Sequence, residues 1–217
     1  MSHFARILTA LALLLAAAGR PEDLPSPDAM WLGQRAIPRA LVQGFCDGVE
    51  KDVLDRVMAT RVAAAEQPSL RARAHTAMAP LLDEAFPAEL LAGISAQFLS
   101  GHYTAGELRA LRAHEESPLG RKVLEFDRAA DELVAATPEV RAEARAALAR
   151  RTFTDAERKE LEAFASSPLG RKGLELGPAL ARTFLDQLDR RYSAVRPDLE
   201  PRLESVAEAV LMTAGGK

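Results

Sequence analysis

The chain has 217 residues, a formal charge of −3 and 5 % aromatic residues, which leaves room for one domain or two small ones. Ala, Leu, Glu and Arg dominate, all good helix formers, while the residues that favour strands never alternate over a useful length. The composition argues against a β-rich fold, and a mildly acidic chain with no basic tract argues against nucleic acid as a partner.

Residues 1–18 have the make-up of a cleavable signal peptide. "MSHFAR" gives a short positive start, "ILTALALLLAAA" an apolar run, and Ala16-Ala17-Ala18 a small-residue site for cleavage after Ala18. The apolar run of twelve residues is shorter than the ~20 a spanning helix needs, so no transmembrane span is expected after cleavage. Removing Arg6 and no acid takes the formal charge from −3 to −4. The expected destination is the periplasm or the medium. With Cys46 as its single cysteine the chain can form no internal disulfide, so its stability must come from the core.

Residues 19–27 ("GRPEDLPSP") read as a flexible leader. An N-terminal helical segment, 28–86, follows. A short helix starts near Ser26-Pro27 with Trp31 and Leu32 as its apolar anchors. Pro38 opens a longer one to about Gln67, with Leu41, Phe45, Val49, Val53 and Val57 at helical spacing. Pro68 and Pro87 punctuate the next two helices, because proline is tolerated in a first turn but not inside.

The hexapeptide "SPLGRK" then occurs twice, at 117–122 and 167–172. It is the centre of a longer repeat: shifted by fifty residues, 103–125 and 153–175 agree at twelve of 23 positions. The reading is a duplicated helical unit, 87–136 and 137–186, built of antiparallel hairpins, with C-terminal helices over 187–212 and a tail at 213–217. All-α, with no sheet, is the fold class.

Each block opens with an aromatic and a Thr-x-x-Glu capping box, Thr104 with Glu107 and Thr154 with Glu157. Tyr103 is placed to staple onto Leu108, whereas the matching position in the second block is Arg158. Ser117 and Ser167 must leave the helix, because proline disfavours helical geometry in the residue before it. Each Ser, followed by Pro118 or Pro168 at the first helical position, also starts a new helix. Gly120 and Gly170 fall at the third helical position, where glycine costs about 1 kcal/mol against alanine, which implies a close backbone approach by a partner helix. The next helix shows a core stripe of Leu119, Val123, Phe126, Ala130 and Leu133. The second block offers Leu169, Gly173, Leu176, Leu180 and Thr183, with Phe184 beside them. Pro178 is expected to kink or divide that helix near Gly177.

Arg121, Lys122, Arg171 and Lys172 are the anomaly. They sit in first helical turns, where the macrodipole favours anions. Either carboxylates of the preceding helix and solvent engage them, or they hold an anionic ligand or partner at that helix start.

The pattern [YF]-T-x-x-E…S-P-x-G-x-K resembles the block of a bacterial domain of unknown function, DUF2059. The resemblance covers the two blocks and their flanking helices, about half the chain. It implies an exported, largely periplasmic helical protein and offers no catalytic residues to carry over. The first block departs from the pattern at His114, where an aromatic is expected, and at Tyr103 in place of Phe; the second keeps Phe153 and Phe164.

Other chemistry is weakly represented. "GFCDG" (44–48) matches a nucleophile elbow around Cys46, but lies in a helical pattern with no strand before it. A helix cysteine flanked by glycines for packing is the better reading. His75, His102 and His114 have no metal-ligand spacing, and no phosphate loop or nucleotide fingerprint is present, so no catalytic residue, metal or cofactor is implied. The sequence thus points to a non-catalytic binding or scaffolding module, whose partner is another envelope protein or an apolar ligand. The alternative is an enzyme or metal-dependent activity in a groove between the repeats, which would gather His102, His114 and carboxylates inward.

Overall fold

A computed structural model of the chain describes residues 24–58, 67–131 and 138–214. The segment 1–18 read as a signal peptide, most of the leader, Leu133, the end of the helix expected to reach Gln67 and residues 215–217 of the expected tail lie outside these residues. Among the described residues every element is a helix. They are α1 (Pro27–Arg35), α2 (Arg39–Met58), α3 (Gln67–Ala85), α4 (Ala88–His102), α5 (Ala105–Glu116), α6 (Pro118–Asp131), α7 (Pro138–Thr152), α8 (Asp155–Ser166) and α9 (Pro168–Ala214). None is long and apolar enough to cross a membrane.

The starts follow local chemistry. Ser26 caps α1, its hydroxyl accepting from the Ala29 amide at 3.2 Å, and Pro27 occupies the first helical position. Pro87 takes the cap position of α4 rather than its first turn. α1 lies on α4 through small residues. A Cβ on Gly33 would collide with the Ala92 carbonyl and the Ala96 amide, so only glycine permits this backbone contact.

α9 is the spine. Phe184, Leu188, Leu199, Leu203 and Ala207 along it are buried with Val53 and Leu54 of α2 and with Leu70, Ala74, Met78 and Leu82 of α3. The helix is not divided at Gly177–Pro178, and the segment read as separate C-terminal helices is the second half of α9. Pro178, Pro197 and Pro201 all lie inside this helix and all face solvent. Each forfeits one backbone hydrogen bond. The apolar residues on the opposite side stay packed on α2 and α3, and burial at ~25 cal/mol per Å² outweighs the local loss. Pro80, exposed inside α3, is tolerated in the same way.

Two smaller clusters flank this core. Ala29, Leu32, Ala96, Leu99, Tyr103 and Leu108 form one, which also receives Leu169 and Leu176 from α9. Leu119, Phe126 and Ala130 of α6 join Phe153 in the other, with Val123, Leu148 and Leu161 packed against them.

Candidate functional site

The motif residues form a reciprocal joint between the two blocks. Both capping boxes are present. The Thr104 hydroxyl accepts from the Glu107 amide at 3.2 Å while the Glu107 carboxylate accepts from the Thr104 amide at 2.7 Å. Thr154 and Glu157 repeat this at 3.2 and 2.8 Å. At N4 of α5, Leu108 is buried in one cluster with Tyr103. At N4 of α8, Arg158 instead donates to the Phe153 carbonyl at 2.6 Å and pairs with Asp155.

Ser117 and Ser167 are each at once the C-cap of one helix and the N-cap of the next. Both have extended backbone, and their hydroxyls accept from the Gly120 and Gly170 amides at 3.0 Å. The two glycines are buried against the last turn of the preceding helix. A Cβ there would fall on the His114 carbonyl oxygen in one block and on the Phe164 carbonyl oxygen in the other. The close approach is therefore made within the joint itself.

All four motif cations have intramolecular partners. Arg121 donates to the Glu116 carbonyl at 2.6 Å and Arg171 to the Ser166 carbonyl at 2.9 Å, so each guanidinium caps the C-terminal end of the preceding helix, where a cation is favoured. Neither uses the carboxylate four residues on. The lysines cross over. Lys122 of the first block donates to both Glu157 oxygens, at 2.7 and 2.8 Å, and Lys172 of the second to both Glu107 oxygens, at 2.7 and 2.9 Å. The carboxylates were expected on the preceding helix; they belong instead to the capping box of the opposite block. Each glutamate is held well below its ordinary range, at about 2, first by the lysine and then by the threonine amide. The ammonium groups also lie over the opening aromatics, Lys172 at 4.8 Å from the Tyr103 ring centre and Lys122 at 5.7 Å from that of Phe153.

This crossing accounts for two sequence differences between the blocks. Tyr103 faces Gly173, where a Cβ would lie 3.6 Å from its hydroxyl, while the smaller Phe153 shares its cluster with the larger Val123. The differences compensate across the joint, not within a block. Helical periodicity does not reveal this pairing, although the sequence carries a signal for it. Each block carries one capping acid and one joint lysine at the same fifteen-residue offset, and neither finds a partner by i,i+4 spacing.

The remaining candidates lie apart from the joint. Cys46 sits mid-α2, half-buried, with its thiol pushed up to about 11 chiefly by burial and then by Asp47. Its neighbours Gly44 and Gly48 border open space, so they serve no close packing, contrary to expectation. The His75 ring donates from Nδ1 to the buried Glu50 carboxylate at 2.7 Å, tying α3 to α2, and its pKa is raised mainly by that bond. His102 is exposed and stacked on Phe98, whereas His114 stacks on Phe164. Among the described residues no three His, Cys, Asp or Glu side chains are grouped to hold a metal.

A bacterial family described as "Uncharacterized protein conserved in bacteria (DUF2059)" matches residues 138–195. Over this segment the chain resembles that family. The matched stretch runs from α7 through α8 into α9 and contains the second capping box, the second Ser-Pro joint, Phe153 and Phe164. No curated protein and no solved structure matches the chain.

Proposed function

We propose that the protein is exported, to the periplasm or the medium, and works there as a non-catalytic binding or scaffolding module. Export is supported by the charged start, twelve-residue apolar run and Ala16-Ala17-Ala18 of the N-terminus. The reading rests on one observation above the others: the polar groups of the repeated motif are engaged within the chain, the hydroxyls and arginines at helix ends of their own block and the lysines and glutamates in joining the two blocks. The motif is then an architectural clasp that holds α5, α6, α8 and α9 in a fixed arrangement.

Expression of the full chain in a Gram-negative host, followed by fractionation and intact-mass measurement, tests export. A periplasmic or secreted species beginning at Gly19 is expected, and an uncleaved chain held in the cytoplasm overturns that part of the reading. Passing periplasmic extract over the purified protein tests the rest. Saturable retention of a component that survives removal unchanged supports a binding module. Conversion of a component to a new chemical species by the protein overturns it.

A further inference from the structure

A cleft of about 510 Å³ opens between the α1–α2 connection and helices α6 and α7. That is within the range of ~300–1,000 Å³ typical of small-molecule sites. Its floor is apolar, made by the partly buried Ile37, Pro38, Leu41 and Leu124. Four arginines also line it, Arg35, Arg39, Arg128 and Arg145, against the single carboxylate of Asp127. Four positive charges and one negative leave +3 around one opening, on a chain whose formal charge is −3.

Internal partners absorb only part of this excess and, among the described residues, leave two arginines unpaired. Arg145 donates to Asp127 at 2.6 Å, and Arg35 lies 3.6 Å from Glu115 with its Nε buried and without a hydrogen-bond acceptor. Arg39 and Arg128 are exposed, and neither has an ion pair or side-chain hydrogen bond among the described residues. Cations of one sign around a concave, partly apolar wall focus a field that attracts an anion. The planar guanidinium fork suits carboxylate or phosphate oxygens. A bare phosphate would leave the Ile37–Leu41–Leu124 floor unused, and a neutral apolar molecule would leave the arginines unused.

We propose that this cleft binds a small amphiphilic anion, with its carboxylate or phosphate head on Arg39 and Arg128 and its aliphatic tail over Ile37, Leu41 and Leu124. The proposal rests on the binding reading above and gives it a ligand class. The shared chemistry, an anionic head on an alkyl chain, is offered both by a free alkyl phosphate or fatty acid and by a phospholipid.

Titration calorimetry of the full chain with octyl phosphate tests it, with inorganic phosphate and octanol as partial ligands. Saturable binding of octyl phosphate is expected, at least tenfold tighter than either partial ligand. Arg39→Gln with Arg128→Gln should weaken it at least tenfold. Both side chains are exposed, so unchanged circular dichroism and melting are expected and show that the variant is folded. Arg39→Lys with Arg128→Lys should recover part of the loss. No binding of octyl phosphate, equal binding of octanol, or indifference to the glutamine pair overturns the proposal. Co-sedimentation with anionic phosphatidylglycerol vesicles, read beside a positive titration, assigns a lipid source. Its absence beside a positive titration assigns a free amphiphile, and both results support the cleft. If octyl phosphate fails while a periplasmic component is still retained, the cleft fails and the binding reading stands. Catalytic conversion of a component overturns that reading whatever the cleft holds.

Discussion

His114 and Phe164 stack face to face, their ring centres 3.6 Å apart and their planes within 4° of parallel. They occupy the same position in the two blocks, fifty residues apart, so the blocks meet at equivalent points. Such ring pairs contribute about 0.5–1.5 kcal/mol beyond the area they bury. His114→Ala should lower the stability measured by urea unfolding by about 1 kcal/mol. His114→Phe, which keeps a flat ring, should leave it unchanged or raise it. A phenylalanine variant as unstable as the alanine one would show that the stack does not join the blocks.

The crossed lysines make a prediction about pairing. Lys122→Met and Glu157→Gln should each destabilise, the glutamine keeping the capping geometry while losing the charge. Their double variant should be less destabilised than the sum, giving a coupling energy between them. Lys122→Met with Glu107→Gln, members of one block that do not touch each other's charges, should be additive. Coupling within the block and additivity across it would reverse the arrangement.

The same pairs set an acid limit. Glu107 and Glu157 sit at about 2 against an ordinary 4.5, held down by the opposite block's lysine and then by their own threonine's amide. A carboxyl whose folded pKa is depressed stabilises the fold fully above its unfolded value, and the contribution disappears as pH falls through the folded one. Stability should therefore decline between pH 4.5 and about 2. The variant with Glu107→Gln and Glu157→Gln should be less stable at neutral pH and decline less over that window. Parallel curves, from urea midpoints at pH 5 and 2.5, would assign the acid sensitivity elsewhere.

What could be read from sequence is what neighbouring residues decide. Thr104 with Glu107, Ser117 with Gly120, and Ser26 ahead of Pro27 are relationships within three residues that need no knowledge of the fold. The clasp was legible only as an anomaly. Lys122 and Glu157 are 35 residues apart and Lys172 and Glu107 are 65 apart, and helical periodicity does not state which helices meet. α9 misled for the opposite reason. Pro178 argues locally for a kink or a division, yet it, Pro197 and Pro201 are all exposed within one helix while Phe184, Leu188 and Leu203 are fully buried. The amphiphile cleft was not legible at all, because its arginines come from α1, α2, α6 and α7.

Cys46 should behave as a packed helix residue. Its thiol, half-buried and pushed up to about 11, is almost wholly protonated at pH 8 and therefore a weak nucleophile. Iodoacetamide at pH 8 should label the native protein far more slowly than the urea-unfolded one. Equal rates would place the thiol in a reactive, open environment.

Glycines separate structural need from tolerance. At Gly120 and Gly170 a Cβ would meet carbonyl oxygens of the preceding turn, and backbone cannot move aside as a flexible side chain can. Gly120→Ala or Gly170→Ala should cost about 1–3 kcal/mol, the range of overpacking. Gly44 and Gly48 are also helical, but face open space. Alanine there should stabilise by up to about 1 kcal/mol, the difference in helix propensity. Urea unfolding of the four single variants gives the answer. If Gly120→Ala rose with Gly44→Ala, the tight joint between α5 and α6 would be wrong, and with it the geometry that carries Lys122 to Glu157.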